Sequence, residues 1–263
     1  MCYDISYNIQ LESLQDYFGD LIFDDPQIHL EFGPIDHVQG VGVFAKYPIL
    51  YVNRDDMQVH CKLMEWGCIP FYAKEDMPLL QRNKMLNIRS ERVLDDKTSY
   101  WYKIRNRRCL IPVTGIYEHR AIKGWKKKVP YWIRPEGQEV FFLPGLYSVV
   151  ELPDKQTGEM IRRWTYGLMT RSANDVMQNI HNDGENRHRM PLFLTRELAN
   201  EFISDDLSEE RYREILAYEM PGNSLYHHPV FTIRSAKMRE DNQQKDVAWN
   251  WDKLPALGEL NPD

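Results

Sequence analysis

The chain has 263 residues, 43% hydrophobic and 12% aromatic, enough to bury the core of one large domain or two small ones. No run approaches the ~18 apolar residues of a membrane-spanning helix, and Met1-Cys2-Tyr3-Asp4 lacks the basic-then-apolar pattern of a secretion leader. A net charge of −6 excludes a uniformly basic surface, and four cysteines without a Cys-x-x-Cys pair exclude a disulfide framework, so a reducing, cytoplasmic setting is expected.

In chain order, Leu11, Leu14, Phe18, Leu21 and Ile22 fall at helical spacing and predict an amphipathic helix over 9–22. Short apolar runs between turn residues then predict strands at 47–52, 58–66, 84–88, 108–113, 115–120, 129–134, 139–149, 162–171 and 190–194. Lys123-Gly124 reads as a turn within a hairpin. Helices are expected at 98–106, 174–180, 195–203 and 208–216, with Asn174 and Thr195 as N-caps of the 174–180 and 195–203 helices. His227-His228-Pro229 falls in a further apparent strand. Strands interspersed irregularly with helices indicate α+β rather than a doubly wound parallel fold. One domain is expected over 1–240, followed by a polar tail over 241–263 that is loosely held.

Charge is unevenly spread. Residues 1–60 carry ten acids against Lys46 and Arg54, whereas residues 82–134 carry fifteen Lys or Arg against Glu91, Asp95, Asp96 and Glu118. That asymmetry either builds a basic face on an acidic protein or scatters over solvated surfaces. Between Lys103 and Lys128 the cations are interleaved with Trp101, Tyr102, Tyr117 and Trp125. Cations for phosphates and rings for bases are what a sequence-tolerant single-strand groove requires. No His-Glu-x-x-His or Cys/His zinc spacing and no Gly-rich phosphate loop occurs, so neither a metal nor a cofactor is expected.

Cys2 stands apart. A free cysteine is most often a buried structural residue, but position 2 is an unusual place for one. Its small side chain permits removal of Met1, which would leave an α-amine and a thiol on one residue. Such a 1,2-aminothiol forms an imine with an aldehyde and then closes to a thiazolidine.

Four further segments stand out: Trp66-Gly67-Cys68-Ile69-Pro70, Asn87-Ile88-Arg89-Ser90-Glu91, Arg108 to Glu118, and Ile180-His181 followed by Arg189-Met190-Pro191. Together with Met1-Cys2, and in this order, they resemble the SRAP family, the SOS response-associated peptidases or abasic site processing proteins. The resemblance implies a curved, barrel-like, mostly antiparallel β core surrounded by helices. It implies a monomer that acts on abasic sites in single-stranded DNA, associating with the nucleoid when bound. By the same resemblance Cys2 is the crosslinking nucleophile, and Asn87 holds the sugar and the N-terminus. Glu118 and His181 are the active-site acid–base pair, and Arg89 and Arg189 grip phosphates. Trp66, Pro70, Phe71 and Tyr72 lie beside the nucleic acid. Two alternatives stay open: an N-terminal-cysteine peptidase acting on itself or on peptides, and a non-covalent single-strand binder.

The chain departs from the family pattern in three places. Tyr3-Asp4 replaces the frequent Gly-Arg, removing one expected phosphate contact. Phe71-Tyr72 stands where many members have Gly-Trp. Seven residues separate His181 from Arg189, so His188, directly before Arg189, competes with His181 as the functional imidazole. His181 is favoured because Ile180-His181 keeps the helix-end context while Gly184 lets the extra residues loop out.

Overall fold

The computed structural model describes residues 2–154, 156–235 and 239–262. In chain order the strands are β1 Asp4–Tyr7, β2 Ile22–Phe23, β3 Ile35–Gln39, β4 Lys46–Val52, β5 Val59–Trp66, β6 Asn87–Arg89, β7 Arg108–Val113 and β8 Gly115–Arg120. They continue with β9 Val129–Pro135, β10 Phe141–Pro153, β11 Met160–Ser172, β12 Arg189–Pro191 and β13 Leu225–Pro229. The α-helices are α1 Ile28–Glu31, α2 Leu79–Asn83, α3 Glu91–Leu94, α4 Tyr100–Lys103, α5 Asp175–Ile180, α6 Arg196–Ile203 and α7 Glu209–Ala217.

Five strands close on themselves. β5 pairs β4, β4 pairs β7, β7 pairs β10 and β10 pairs β11, all antiparallel. A short parallel register, Thr165 with Glu65 and Tyr166 with Trp66, joins β11 back to β5. The result is the α+β fold with a barrel-like core that the resemblance implied. Closure removes the unpaired edges that an open sheet would leave. Inside, Trp66 and Tyr166 stack at 6.1 Å and 13°, and Trp66 Nε1 donates to Leu86 C=O at 3.0 Å. A second antiparallel sheet, in the order β13-β9-β8-β1-β3, lies beside the barrel.

The two sheets share one continuous stretch of chain. β7 ends at Val113 and β8 begins at Gly115, so the chain crosses from barrel to second sheet at Thr114. Thr114 Oγ1 accepts from Asn8 N at 3.1 Å and is 3.0 Å from Ser6 Oγ, which ties the crossing to β1. Gly115 is required here, because a Cβ would lie 2.0 Å from Trp132 Nε1.

Asn174 and Thr195 cap as expected, their side chains accepting from Met177 N and Leu198 N. The hairpin turn at Lys123-Gly124 is also present, with Gly124 at φ +86°. The element expected over 9–22 is different. Only Leu11–Asp16 is helical, as a 3-10 turn, and Ile22–Phe23 joins the barrel sheet. Gly19 and Asp20, both poor helix formers, follow that turn. Helix 98–106 shrinks to α4, and strand 84–88 shifts to β6.

The tail is polar, as expected, but it is not loosely held. Arg120, wholly buried at the end of β8, donates to the carbonyls of Pro255, Ala256 and Glu259 at 2.6–2.9 Å. Arg239 donates to the carbonyls of Gln244, Val247 and Ala248, and Ala248 bridges Val230. Buried guanidinium groups need acceptors, and tail carbonyls supply them. Among the described residues no helix is long and apolar enough to cross a membrane.

Candidate active site

β1 lies between β3 and β8, with Asp4 opposite Tyr117 and Ile5 opposite Ile116. This register carries Cys2, just before β1, toward the end of β8 that bears Glu118. Cys2 has 0% exposure. Burial pushes its thiol well above the ordinary range, and the charges of Glu118 and Asp4 push it further. Asn87, on β6 beside Leu168 of β11, donates from Nδ2 to the Cys2 carbonyl at 2.9 Å. The amide of Asn87 therefore fixes the start of the chain.

Glu118 is buried on β8, where both faces of the strand are covered. Simple alternation would have sent it to water. His181 caps the C-terminus of α5, its backbone N–H bonded to Met177 C=O at 2.8 Å. Its ring Nδ1 donates to Arg189 C=O at 2.8 Å. A carbonyl only accepts, so that bond places the proton on Nδ1 and leaves Nε2 to face Glu118. The Nε2–Oε2 distance is 4.0 Å. That is too long for a hydrogen bond, but both groups can reach one atom placed between them.

The seven residues after His181 close a loop. His188 N bonds back to His181 C=O at 2.8 Å, and Ala173 N bonds His188 C=O. His188 itself is exposed, with φ +61°, and lies off the cleft that Glu118 and His181 line.

That cleft has a volume of about 390 Å³ and is completed by Tyr3, Asp4, His119, Lys128, Arg234 and loop residues Asp183–Asn186. A second cleft of about 450 Å³ holds Asn87, Arg89, Lys84, Arg92 and Trp101. Tyr3, Glu185 and Asn186 line both. The two clefts are thus arms of one trough that meet at Tyr3, next to Cys2. The second arm is the basic one, with three cations against Glu185.

The structure brings Asn87, Glu118 and His181 to this trough, with Cys2 buried beside it between Tyr3 and the Asn87 amide and Arg89 at its rim, 3.4 Å from Asn186 Oδ1. Five other candidates sit elsewhere or are otherwise engaged. Arg189 is forked onto Glu91 at 2.7 and 3.1 Å and donates to Thr170 C=O at 2.8 Å. Burial works against ionisation of Glu91, but the Arg189 bonds outweigh it and hold the carboxyl below its usual range. Trp66 is fully buried, so the expectation that it lies against nucleic acid is corrected: a core tryptophan has no surface to offer. Pro70 is half-buried. Phe71 and Tyr72 are 44% and 57% exposed and pack edge-on at 5.3 Å, with Tyr100 beside both. Lys103 stands over Tyr72 and Arg107 over Phe71.

Several lining residues escaped sequence reasoning. Tyr3 and Asp4 were marked only as a departure from the family pattern, and Arg234 carried no signal, because its ion pair with Asp4 joins opposite ends of the chain. Glu91, which lines neither arm, stood within a recognised motif and is placed by its ion pair with Arg189. Among the described residues no group of three or more His, Cys, Asp or Glu is arranged to hold a metal.

A family model described as SOS response associated peptidase (SRAP) matches residues 1–233. Abasic site processing protein YoqW of Bacillus subtilis (strain 168) is 29% identical over 185 residues, 70% of this chain and 75% of that protein. Abasic site processing protein HMCES of Gallus gallus is 28% identical over 188 residues, 65% of this chain and 52% of that protein. A crystal structure of a protein from Bacteroides thetaiotaomicron superposes with a TM-score of 0.71 at 24% identity, covering 94% of this chain and 97% of that one. That likeness is one of fold.

Proposed function

Because the chain belongs to the SOS response-associated peptidase family, we propose that it captures abasic sites in single-stranded DNA as a thiazolidine crosslink to Cys2, exposed as an aminothiol by loss of Met1. The observation that carries this reading is that Asn87, Glu118 and His181 line one trough with a basic arm while Asn87 holds the buried Cys2 beside it. Relatives named as abasic site processing proteins support the substrate class.

The chemistry balances without an oxidant or a metal. An abasic sugar is mostly a closed hemiacetal. Opening it puts a proton on the ring oxygen and takes one from the anomeric hydroxyl. Glu118 and His181, facing each other across 4.0 Å, are spaced to do this from two sides. The Cys2 amine adds to the freed aldehyde and the carbinolamine loses one water to give an imine. The thiol then adds across the C=N bond: carbon–sulfur forms, S–H breaks, and the proton ends on nitrogen. A buried thiol held protonated needs a nearby base for that step, and Glu118 is the candidate. Protonation of the thiazolidine by the same pair makes the crosslink reversible.

The test is incubation of matured protein with a single-stranded oligonucleotide carrying one abasic site, followed by denaturing electrophoresis. The expected result is a denaturation-resistant adduct, absent in Cys2→Ala and in protein that retains Met1. Peptide cleavage without an adduct favours the hydrolase. A shift of intact DNA without an adduct favours a non-covalent binder.

A further inference from the structure

A sugar within a strand always brings phosphates, one bond beyond its 3′ and 5′ oxygens. If the sugar sits against Glu118 and His181, a flanking phosphate must enter or rim the first cleft. That cleft is lined by Asp4, Glu118, Asp183 and Glu185 against two cations, Lys128 and Arg234. A phosphate there meets one of those cations or is repelled. Lys128 is committed at the rim, its ammonium 2.8 Å from Asp183.

Arg234 is placed differently. It donates from Nε to Asp4 Oδ1 at 2.9 Å and from Nη2 to Oδ2. Asp4 is buried beneath it and held from the other side by His37 Nε2 at 2.8 Å. The fork uses two of the three guanidinium nitrogens, and Nη1 is the edge left over on a side chain that is 39% exposed. A two-point fork fixes the plane of the guanidinium, so little rotamer freedom remains to be lost on binding an anion. With the acid inward and the base outward, the pair presents its positive end to the cleft.

We propose that Arg234 is a phosphate-binding residue for the strand next to the lesion, with Asp4 as the residue that positions it. The proposal rests on the reading of this cleft as the seat of the abasic sugar. Arg234 falls one residue beyond the segment matched by the family model.

The experiment measures affinity of matured, full-length protein for a single-stranded oligonucleotide containing tetrahydrofuran, an abasic analogue without an aldehyde, across a salt series. Arg234→Gln should weaken binding about tenfold at low salt and flatten the salt dependence by about 0.7, the release expected for one single-strand phosphate contact. The double variant Asp4→Asn/Arg234→Gln removes the buried charge together with its partner and guards against misfolding of the single variant. It should bind as weakly as Arg234→Gln. An unchanged slope in Arg234→Gln, or recovery of wild-type affinity in the double variant, overturns the assignment and leaves Arg234 as a counter-charge to Asp4. An aldehyde oligonucleotide run in parallel separates the two readings. If the wild type forms no adduct, the view of the cleft fails; if the adduct forms and the slope does not move, only the Arg234 assignment fails.

Discussion

Asn87 offers the most direct test of the proposed site, because one hydrogen bond joins it to Cys2, the proposed nucleophile. Its Nδ2 donates to the Cys2 carbonyl at 2.9 Å, and both groups are buried. Asn87→Ala removes a neutral bond with a net value of about 1 kcal/mol and strands a buried carbonyl at about 1–3 kcal/mol. Cys2 can escape that penalty only by moving, and a shift of about 1 Å in a reacting group lowers rates by about a hundredfold. The single-turnover rate of adduct formation should therefore fall about 10- to 100-fold. The melting temperature should fall by only a few degrees, at about 2–4 °C per kcal/mol for a domain of this size. Asn87→Asp sharpens the test. It keeps the shape but turns an acceptor toward the carbonyl, so it should react as slowly as the alanine variant or more slowly. Rates within twofold of wild type for Asn87→Ala, measured from quenched time courses on denaturing gels, would refute the argument.

Three predictions concern the frame around the site. Gly115→Ala must displace Trp132 and its 3.0 Å bond to Ser6 Oγ; overpacking of about 1–3 kcal/mol should lower the melting temperature, while Gly19→Ala, with open space around it, serves as control. Equal melts for the two would contradict the packing. Truncation after Asp252 strips Arg120 of its carbonyl acceptors and should destabilise the fold by up to about 3–5 kcal/mol, less where water reaches the guanidinium; calorimetry showing no loss would restore the loosely held tail. His60 lies between Asp24 Oδ1 at 2.6 Å and Asp56 Oδ2 at 2.9 Å. Burial lowers its pKa, but the two carboxylates outweigh that and raise it above the ordinary value. Its stabilisation is then complete below about pH 6.5 and fades as pH rises through the raised value, so the gap in melting temperature between wild type and His60→Gln should be wider at pH 6 than at pH 9. Identical gaps would remove His60 from the account.

What the sequence made legible divides by range. Local signals held: Asn174 and Thr195 cap their helices, and Lys123-Gly124 turns its hairpin. Each depends on bonds to residues three or four positions away. The barrel did not follow from periodicity, because its closing contact pairs Thr165 and Tyr166 with Glu65 and Trp66, a hundred positions apart. Trp66 illustrates the same limit. Its motif drew notice to the segment, but no local pattern reveals that the ring points into the barrel and stacks on Tyr166. The basic stretch over 82–134 likewise mixes two populations. Arg89, Arg92 and Lys128 reach the trough, while Arg82 is spent on Glu65 and Arg108 on the carbonyls of Phe202 and Ser204. A cation's sign is written in the sequence, but its partner is set by tertiary contact.

The stretched motif after Ile180 follows the same logic. Seven residues stand between His181 and Arg189, but the backbone bonds of His188 to His181 and Ala173 clamp both ends of the excursion. Arg189 can then offer its carbonyl to the His181 ring while its guanidinium holds Glu91. The site depends on where chain ends meet in space, so a loop can lengthen without moving the imidazole. The loop is not passive, however. Asp183–Asn186 form a wall of the first cleft, and Asn186 reaches Arg89 of the second. The same insertion that lengthens the motif therefore divides the trough into an acidic arm holding Glu118 and a basic arm holding Arg89, with Tyr3 at the boundary. On the proposed function, a strand crossing that boundary passes from cations suited to phosphate into a cleft suited to proton transfer, with the buried Cys2 beside the crossing.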